Sequence, residues 1–158
     1  MENTNASSGG RFRLMNTPMQ FPASAESKNG INVDWSAHAS AGASDLACGI
    51  PKEFGGPGTG LSPEDLFISA LLNCYIATFK VIAQNSKIEF ASIAGSGVLT
   101  LDKDANGETW FTEALLKLQV TGAANAERTQ RLMERVSKQC MVINSVKTKV
   151  SFELKAEA

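Results

Sequence analysis

Two cysteines, Cys74 and Cys140, are the residues of this 158-residue chain best placed to do chemistry together. Cys74 lies inside a run that includes Leu66, Phe67, Ile68, Leu71, Leu72, Tyr75, Ile76, Phe79, Val81 and Ile82, apolar nearly all the way round a helix. Only an interior helix carries so little polar surface, so this thiol is expected deep in an apolar setting. Cys140 comes at the end of a segment, Ala126 to Val142, whose spacing predicts an amphipathic helix. Leu132, Met133, Val136 and Cys140 share one face; Glu127, Arg128, Arg131, Glu134, Arg135 and Lys138 share the other. Two core-facing helices would then each present a thiol to one core.

Cysteine is among the most often buried residues, and a thiol in a core commonly acts as a small apolar packing group. It becomes a nucleophile where a cation or hydrogen-bond donor stabilises the thiolate against its desolvation. A second thiol within reach adds one capability: a sulfenic acid formed on the first can be trapped as a disulfide by the second. Reaction with a peroxide, disulfide formation, and reduction by an external thiol is the simplest cycle that uses both, and apolar surroundings favour an organic hydroperoxide. Packing and redox chemistry both remain open from these residues alone.

The other reactive side chains carry less. His38 is the sole histidine and sits among small residues with no nucleophile motif beside it. Cys48 adjoins Gly49 in a loop-like stretch, and the three cysteines contain no CxxC pair, so neither a metal nor a cofactor is expected. The run Gly55-Gly56-Pro57-Gly58-Thr59-Gly60 lacks the Lys-Ser/Thr of a phosphate-binding loop and reads as a turn feeding a helix.

That helix has a clear start. Ser62 can cap free N–H groups, Pro63 suits the first helical position, and Glu64 and Asp65 place negative charge at the positive end of the dipole. It is expected to run from Ser62 to Ser86. Phe12 to Ser27 and Ile31 to Trp35 read as strands joined at Asn29-Gly30, Ser36 to Gly60 as loop, Ile88 to Leu101 and Thr109 to Val120 as a second hairpin, and Val146 to Lys155 as a last strand. The fold class is α+β: antiparallel sheets packed on a long buried central helix. Residues 1–10 are expected to be a disordered tail, and 11–158 a single domain. One small sheet cannot cover a helix that is apolar on every side, so a homodimer is expected.

Composition narrows the partners. Fifteen basic against sixteen acidic residues, with no basic run, argue against nucleic acid and anionic membrane surfaces. Asn73, Thr78 and Lys80 interrupt the apolar run, which argues against a membrane span. Met1 to Gly10 has neither the basic nor the apolar region of a secretory signal, so a cytoplasmic, thiol-reducing location is expected.

Ser62-Pro63-Glu64-Asp65-Leu66-Phe67, the ten-residue step from Glu64 to Cys74, Cys74-Tyr75, the lead-in Pro51-Lys52-Glu53-Phe54-Gly55-Gly56, and a helix ending at Cys140 together resemble the osmotically inducible / organic hydroperoxide resistance (OsmC/Ohr) family over residues 50–155. The resemblance implies an OsmC-like fold in an intertwined homodimer and thiol-dependent, peroxiredoxin-like peroxidase activity on organic hydroperoxides. A small or lipoyl-type dithiol would be the reductant, and oxidative stress defence the role. It also implies that Cys74 is the peroxidatic cysteine, Cys140 the resolving one, and Glu64 the acidic partner of a catalytic arginine. A non-catalytic dimer of the same fold that binds an apolar small molecule is the alternative.

Two features depart from the family pattern. No arginine occurs between Asn16 and Gly60, leaving Arg11 and Arg13 as the only upstream candidates, and Met141 and Ile143 stand where a Pro and a Ser usually follow the second cysteine. Ten helical residues separate Glu64 and Cys74 by about 15 Å and roughly 80° around the axis. Glu64 is therefore expected to serve the Cys74 of a second copy, or to work through a folded-back loop.

Overall fold

The structure, a computed structural model, describes residues 18–39 and 44–158. Arg11, Arg13 and the expected disordered tail lie outside the described residues. The chain divides into two compact units, one ending at Ser69 and one running from Ala70 to Ala158.

In the N-terminal unit, β1 (Ala23–Glu26), β2 (Trp35–Ala39) and β3 (Leu46–Cys48) form an antiparallel sheet in that order. Register pairs Ala25 with Ala37 and Trp35 with Cys48. The expected hairpin exists, but Asn29-Gly30 sits inside an eight-residue loop rather than a two-residue turn, and residues 31–34 are not strand. Gly30, with φ +124°, accepts from the Val33 N–H at 3.2 Å, so the turn closes on Val33 and delays the second strand to Trp35. Strand β3 falls where a loop was expected, because three residues are too few to show a period.

The glycine-rich run has a structural task. A 3₁₀ turn, Lys52–Phe54, ends at Gly55 in the left-handed region, and the chain then folds back beside β3. Leu61 donates to the Ala47 carbonyl at 2.9 Å and accepts from the Gly49 N–H at 3.1 Å. A Cβ on Gly60 would lie 2.5 Å from the Cys48 backbone, and one on Gly56 would lie 2.1 Å from the Ile50 carbonyl oxygen. Close backbone approach therefore requires glycine at both positions.

Helix α1 (Pro63–Asn85) begins as expected. The Ser62 hydroxyl accepts from the Asp65 N–H at 3.1 Å, and Asp65 accepts from the Ser62 N–H at 2.9 Å, a reciprocal cap. Its length and composition would suit a membrane span. However, Leu71, Tyr75, Thr78, Phe79, Ile82 and Ala83 are buried along one stripe within the chain.

In the C-terminal unit, β4 (Ser92–Lys103) and β5 (Thr109–Thr121) form the expected hairpin, and β6 (Lys149–Ala156) joins β5. That last pairing is parallel, Glu113 opposite Lys149, so this sheet is mixed rather than antiparallel throughout. The long return through two helices brings the chain back to the starting edge, which a tight turn could not do. On β5, Ala114, Leu116, Leu118 and Val120 are buried while Glu113, Lys117 and Gln119 face outward, as their alternation predicts. The sheet meets α1 through β6, where Phe152 lies 5.8 Å from the Tyr75 ring, and Phe90, just ahead of β4, meets Phe79 edge-on at 5.2 Å.

Helix α2 (Ala126–Val136) is capped by Asn125, whose side chain accepts from the Arg128 N–H. It lies along β6, where the Gln130 amide donates to the Leu154 carbonyl and accepts from the Ala156 N–H. A side chain thereby satisfies backbone groups on an edge strand. The helix stops at Val136, earlier than the expected Val142. The Ser137 hydroxyl donates to the Glu134 carbonyl at 2.8 Å, competing for the acceptor that a further turn would use, and a short helix α3 (Met141–Asn144) starts afresh.

Candidate functional site

The break after α2 positions the second thiol. Cys140 is the residue before α3, in extended conformation, and its carbonyl accepts from the Asn144 N–H. It is not part of a continuing α2 face, yet it is fully buried, so its expected inward direction is correct for a different backbone reason. Its thiol points back to the Val136 carbonyl, 3.4 Å away.

Cys74 comes from the middle of α1 and is half-buried. At 100° per residue it falls beside the buried stripe, with Ala70, Ala77 and Val81 close to its own line on the exposed side. The thiol thus sits at the seam between core and surface. Cys140 is its neighbour, and both thiols are free. The two residues that sequence reasoning paired are together in one unit.

Burial pushes the Cys140 thiol up to about 12; the Thr78 hydroxyl pulls it down, and the neighbouring Cys74 pushes it further up. Tyr75 completes this wall. Its hydroxyl donates to the Met133 carbonyl at 2.8 Å, and burial, then Cys140 and Glu134, raise it above the usual phenol range. Cys140 is therefore a protonated thiol at neutral pH, in a pocket that opposes negative charge except where Thr78 offers a donor. Sequence reasoning missed Thr78 and Tyr75 as neighbours of the pair. The available signal was a single hydroxyl, one turn past Cys74, interrupting an apolar run.

Glu64 lies on the first turn of α1, in the N-terminal unit, and is half-buried. Its Oε2 atom is enclosed without a hydrogen-bond partner among the described residues. A carboxylate oxygen so placed is costly unless a cation or donor meets it, which makes Glu64 a ready receiver for one. Elsewhere in that unit, His38 pairs with Asp45 through Nδ1 at 2.7 Å, with both side chains exposed. Cys48 is in strand β3 rather than in a loop; it is buried, and its thiol faces the Leu46 carbonyl at 3.5 Å. Among the described residues no group of three or more His, Cys, Asp or Glu is arranged to hold a metal.

Comparison with known proteins gives the family and the fold. A family model described as OsmC-like protein matches residues 56–155. An uncharacterized protein of Bacillus subtilis, YmaD, is 24% identical over 114 residues, covering 68% of this chain and 74% of its own. An OsmC-like protein of unknown function from Vibrio cholerae superposes with a TM-score of 0.76 at 21% identity, over 86% of this chain and 99% of that one. An organic hydroperoxide resistance protein from Legionella pneumophila gives 0.70 at 20% identity, over 90% and 100%. The organic hydroperoxide resistance protein OhrB of Bacillus subtilis gives 0.62 at 20% identity, over 86% and 98%. With well over half of its 158 residues in the family match and its α+β fold shared with these structures, the chain belongs to the OsmC/Ohr family of OsmC-like proteins.

Proposed function

We propose that this protein is a cysteine-based peroxidase that reduces organic hydroperoxides in the cytoplasm, with residues 11–158 acting as one functional domain. The observation that carries this reading is a pair of free, neighbouring thiols in one unit, one fully buried and one at the edge of the core. Organic hydroperoxide resistance proteins among the structural relatives support it.

The Cys74 thiolate attacks the distal peroxide oxygen. The O–O bond breaks, the alkoxide takes a proton and leaves as an alcohol, and Cys74 becomes a sulfenic acid. Cys140 then attacks that sulfur: an S–S bond forms, the S–O bond breaks, and the departing hydroxide takes a proton to leave as water. A dithiol returns two electrons and two protons by thiol–disulfide exchange. Glu64 holds a cation that lowers the cost of the Cys74 thiolate, and Arg11 and Arg13 are the upstream arginines that could fill that place.

Assembly as a homodimer is part of this proposal. Ala70 and Ala77 are exposed and Val81 is 40% exposed along the Cys74 side of α1, an apolar strip that a second copy would cover. It would also bring a second Glu64 toward each Cys74, which the spacing along one helix prevents.

The test is steady-state turnover with dihydrolipoamide as reductant, alongside sedimentation at micromolar protein. Cumene hydroperoxide should be reduced at least about tenfold more efficiently than hydrogen peroxide, by a dimer, because one well-buried aromatic group is worth more than the roughly 1.4 kcal/mol this requires. Absence of cumene hydroperoxide turnover contradicts the peroxidase, and a monomer contradicts the dimer.

A further inference from the structure

Residues 14–158 contain three arginines, Arg128, Arg131 and Arg135, and all three line one cleft of about 300 Å³ between α2 and the residues that follow α1. Ser86, Ile88 and Leu132 complete its walls, and no lysine, aspartate or glutamate lines it. Steps of three and four residues return to one face of a helix, so the three arginines rise from a single stripe about 10 Å long. They stand around an apolar floor: Leu132 is 4% exposed, and Ile88 is half-buried.

The three cations differ in what already holds them. Arg128 donates through Nη2 to the Ser86 carbonyl at 2.7 Å, which satisfies an acceptor just past the end of α1 and fixes that wall. Arg131 pairs with Glu127, one turn earlier on the exposed face. Arg135, in the last turn of α2, has no ion-pair partner among the described residues. A guanidinium presents five N–H donors in a planar fork that matches the oxygens of a carboxylate or a phosphate, and most of the donors around this cleft are unspent. We infer that the cleft binds a small molecule carrying a carboxylate or phosphate group on an apolar body, the oxyanion held by Arg131 and Arg135 and the body laid on Ile88 and Leu132. The volume lies at the lower end of small-ligand pockets, so the ligand is compact. Ser86 comes twelve residues after Cys74, about 18 Å along the axis of α1, so this site is separate from the thiol pair and does not rest on the hydroperoxide reading.

The experiment titrates the full-length protein by calorimetry with octanoate, octyl phosphate, inorganic phosphate and octylammonium. Octanoate or octyl phosphate should bind saturably with a Kd below about 1 mM, and whichever is tighter identifies the head group as carboxylate or phosphate. Inorganic phosphate should bind at least about threefold more weakly than octyl phosphate, because it leaves the apolar floor uncovered. Arg135→Gln should weaken binding about tenfold, the scale for losing hydrogen bonds to a charged group. Arg135→Lys keeps the charge and should stay within about fivefold of wild type. Lys80→Gln, which removes the same charge from the exposed side of α1, should leave affinity unchanged. Affinity should also fall as salt rises, since all three arginines are exposed.

A weaker or unsaturable isotherm with both octyl oxyanions overturns the inference, as does octylammonium binding as tightly as they do. Wild-type affinity in Arg135→Gln removes the arginine from the site. Equal loss in Arg135→Gln and Arg135→Lys would show altered packing instead of a lost cation, and equal loss in Lys80→Gln would show attraction to overall charge; each contradicts a built oxyanion site. Equal affinity for inorganic phosphate and octyl phosphate overturns the apolar half of the assignment.

Discussion

Cys74→Ser is expected to lower hydroperoxide turnover by roughly a thousandfold or more, the scale of loss when a nucleophile is removed from a site that acts as a unit. Serine keeps the size of the side chain, so the half-buried position on α1 is undisturbed. What disappears is a sulfur nucleophile whose oxidised form a second thiol can attack; a hydroxyl ionises far too weakly to attack a peroxide and forms no sulfenic acid. Cys140→Ser separates the two roles. One equivalent of hydroperoxide should still be consumed, but Cys74 should stop at sulfenic acid and move to sulfinic acid with excess oxidant, since its neighbouring thiol is no longer there to trap it. Quenched-flow measurement of hydroperoxide loss, with intact-mass detection of added oxygens, reads both variants. Comparable turnover in Cys74→Ser and wild type would remove Cys74 from the chemistry.

The second large effect concerns the frame that holds the pair. Phe79→Ala is expected to destabilise the protein by about 3–5 kcal/mol, the usual cost of emptying a buried aromatic site. Phe79 is fully buried and meets Phe90 edge-on at 5.2 Å, so truncation loses apolar burial and the ring pair together. A domain with a total stability of about 5–15 kcal/mol would lose a large share of it. Lys80→Ala, one residue along on the exposed side of α1, should stay within about 0.5 kcal/mol of wild type. Urea denaturation of the two variants makes the comparison, and a Phe79→Ala midpoint equal to that of Lys80→Ala would contradict the packing.

Where a physical signal was strong and local, it could be read in the residues. The cap at Ser62 and Asp65 marked the start of α1, and alternation along Trp110 to Val120 marked the inner face of β5. The inward direction of Cys140 could be read from its apolar neighbours, and the family from the motif spacing around Glu64, Cys74 and Cys140; Cys74, expected deep in the core, is half-buried at its edge. What could not be read depends on contacts distant in sequence or on competition between hydrogen bonds. The parallel pairing of β6 with β5 is invisible in its alternation, which looks the same in either direction. The stop of α2 at Val136 turns on which donor takes the Glu134 carbonyl. Thr78 reads as a mere interruption of an apolar run, yet it is buried in the folded chain. Glu64 is a partial case: its motif identified it, but its partnerless oxygen becomes visible only in three dimensions.

One measurement bears most directly on the claim that two neighbouring thiols form a working redox pair. The reduced wild-type protein is treated with one equivalent of cumene hydroperoxide, and all three cysteines are mapped by mass. The geometry predicts rapid loss of the Cys74 and Cys140 thiols into a single disulfide, Cys48 left reduced in its strand, and full recovery with dihydrolipoamide. Cys74 and Cys140 remaining reduced while hydroperoxide persists would contradict it, and would leave the two thiols as packing residues of an OsmC-like fold.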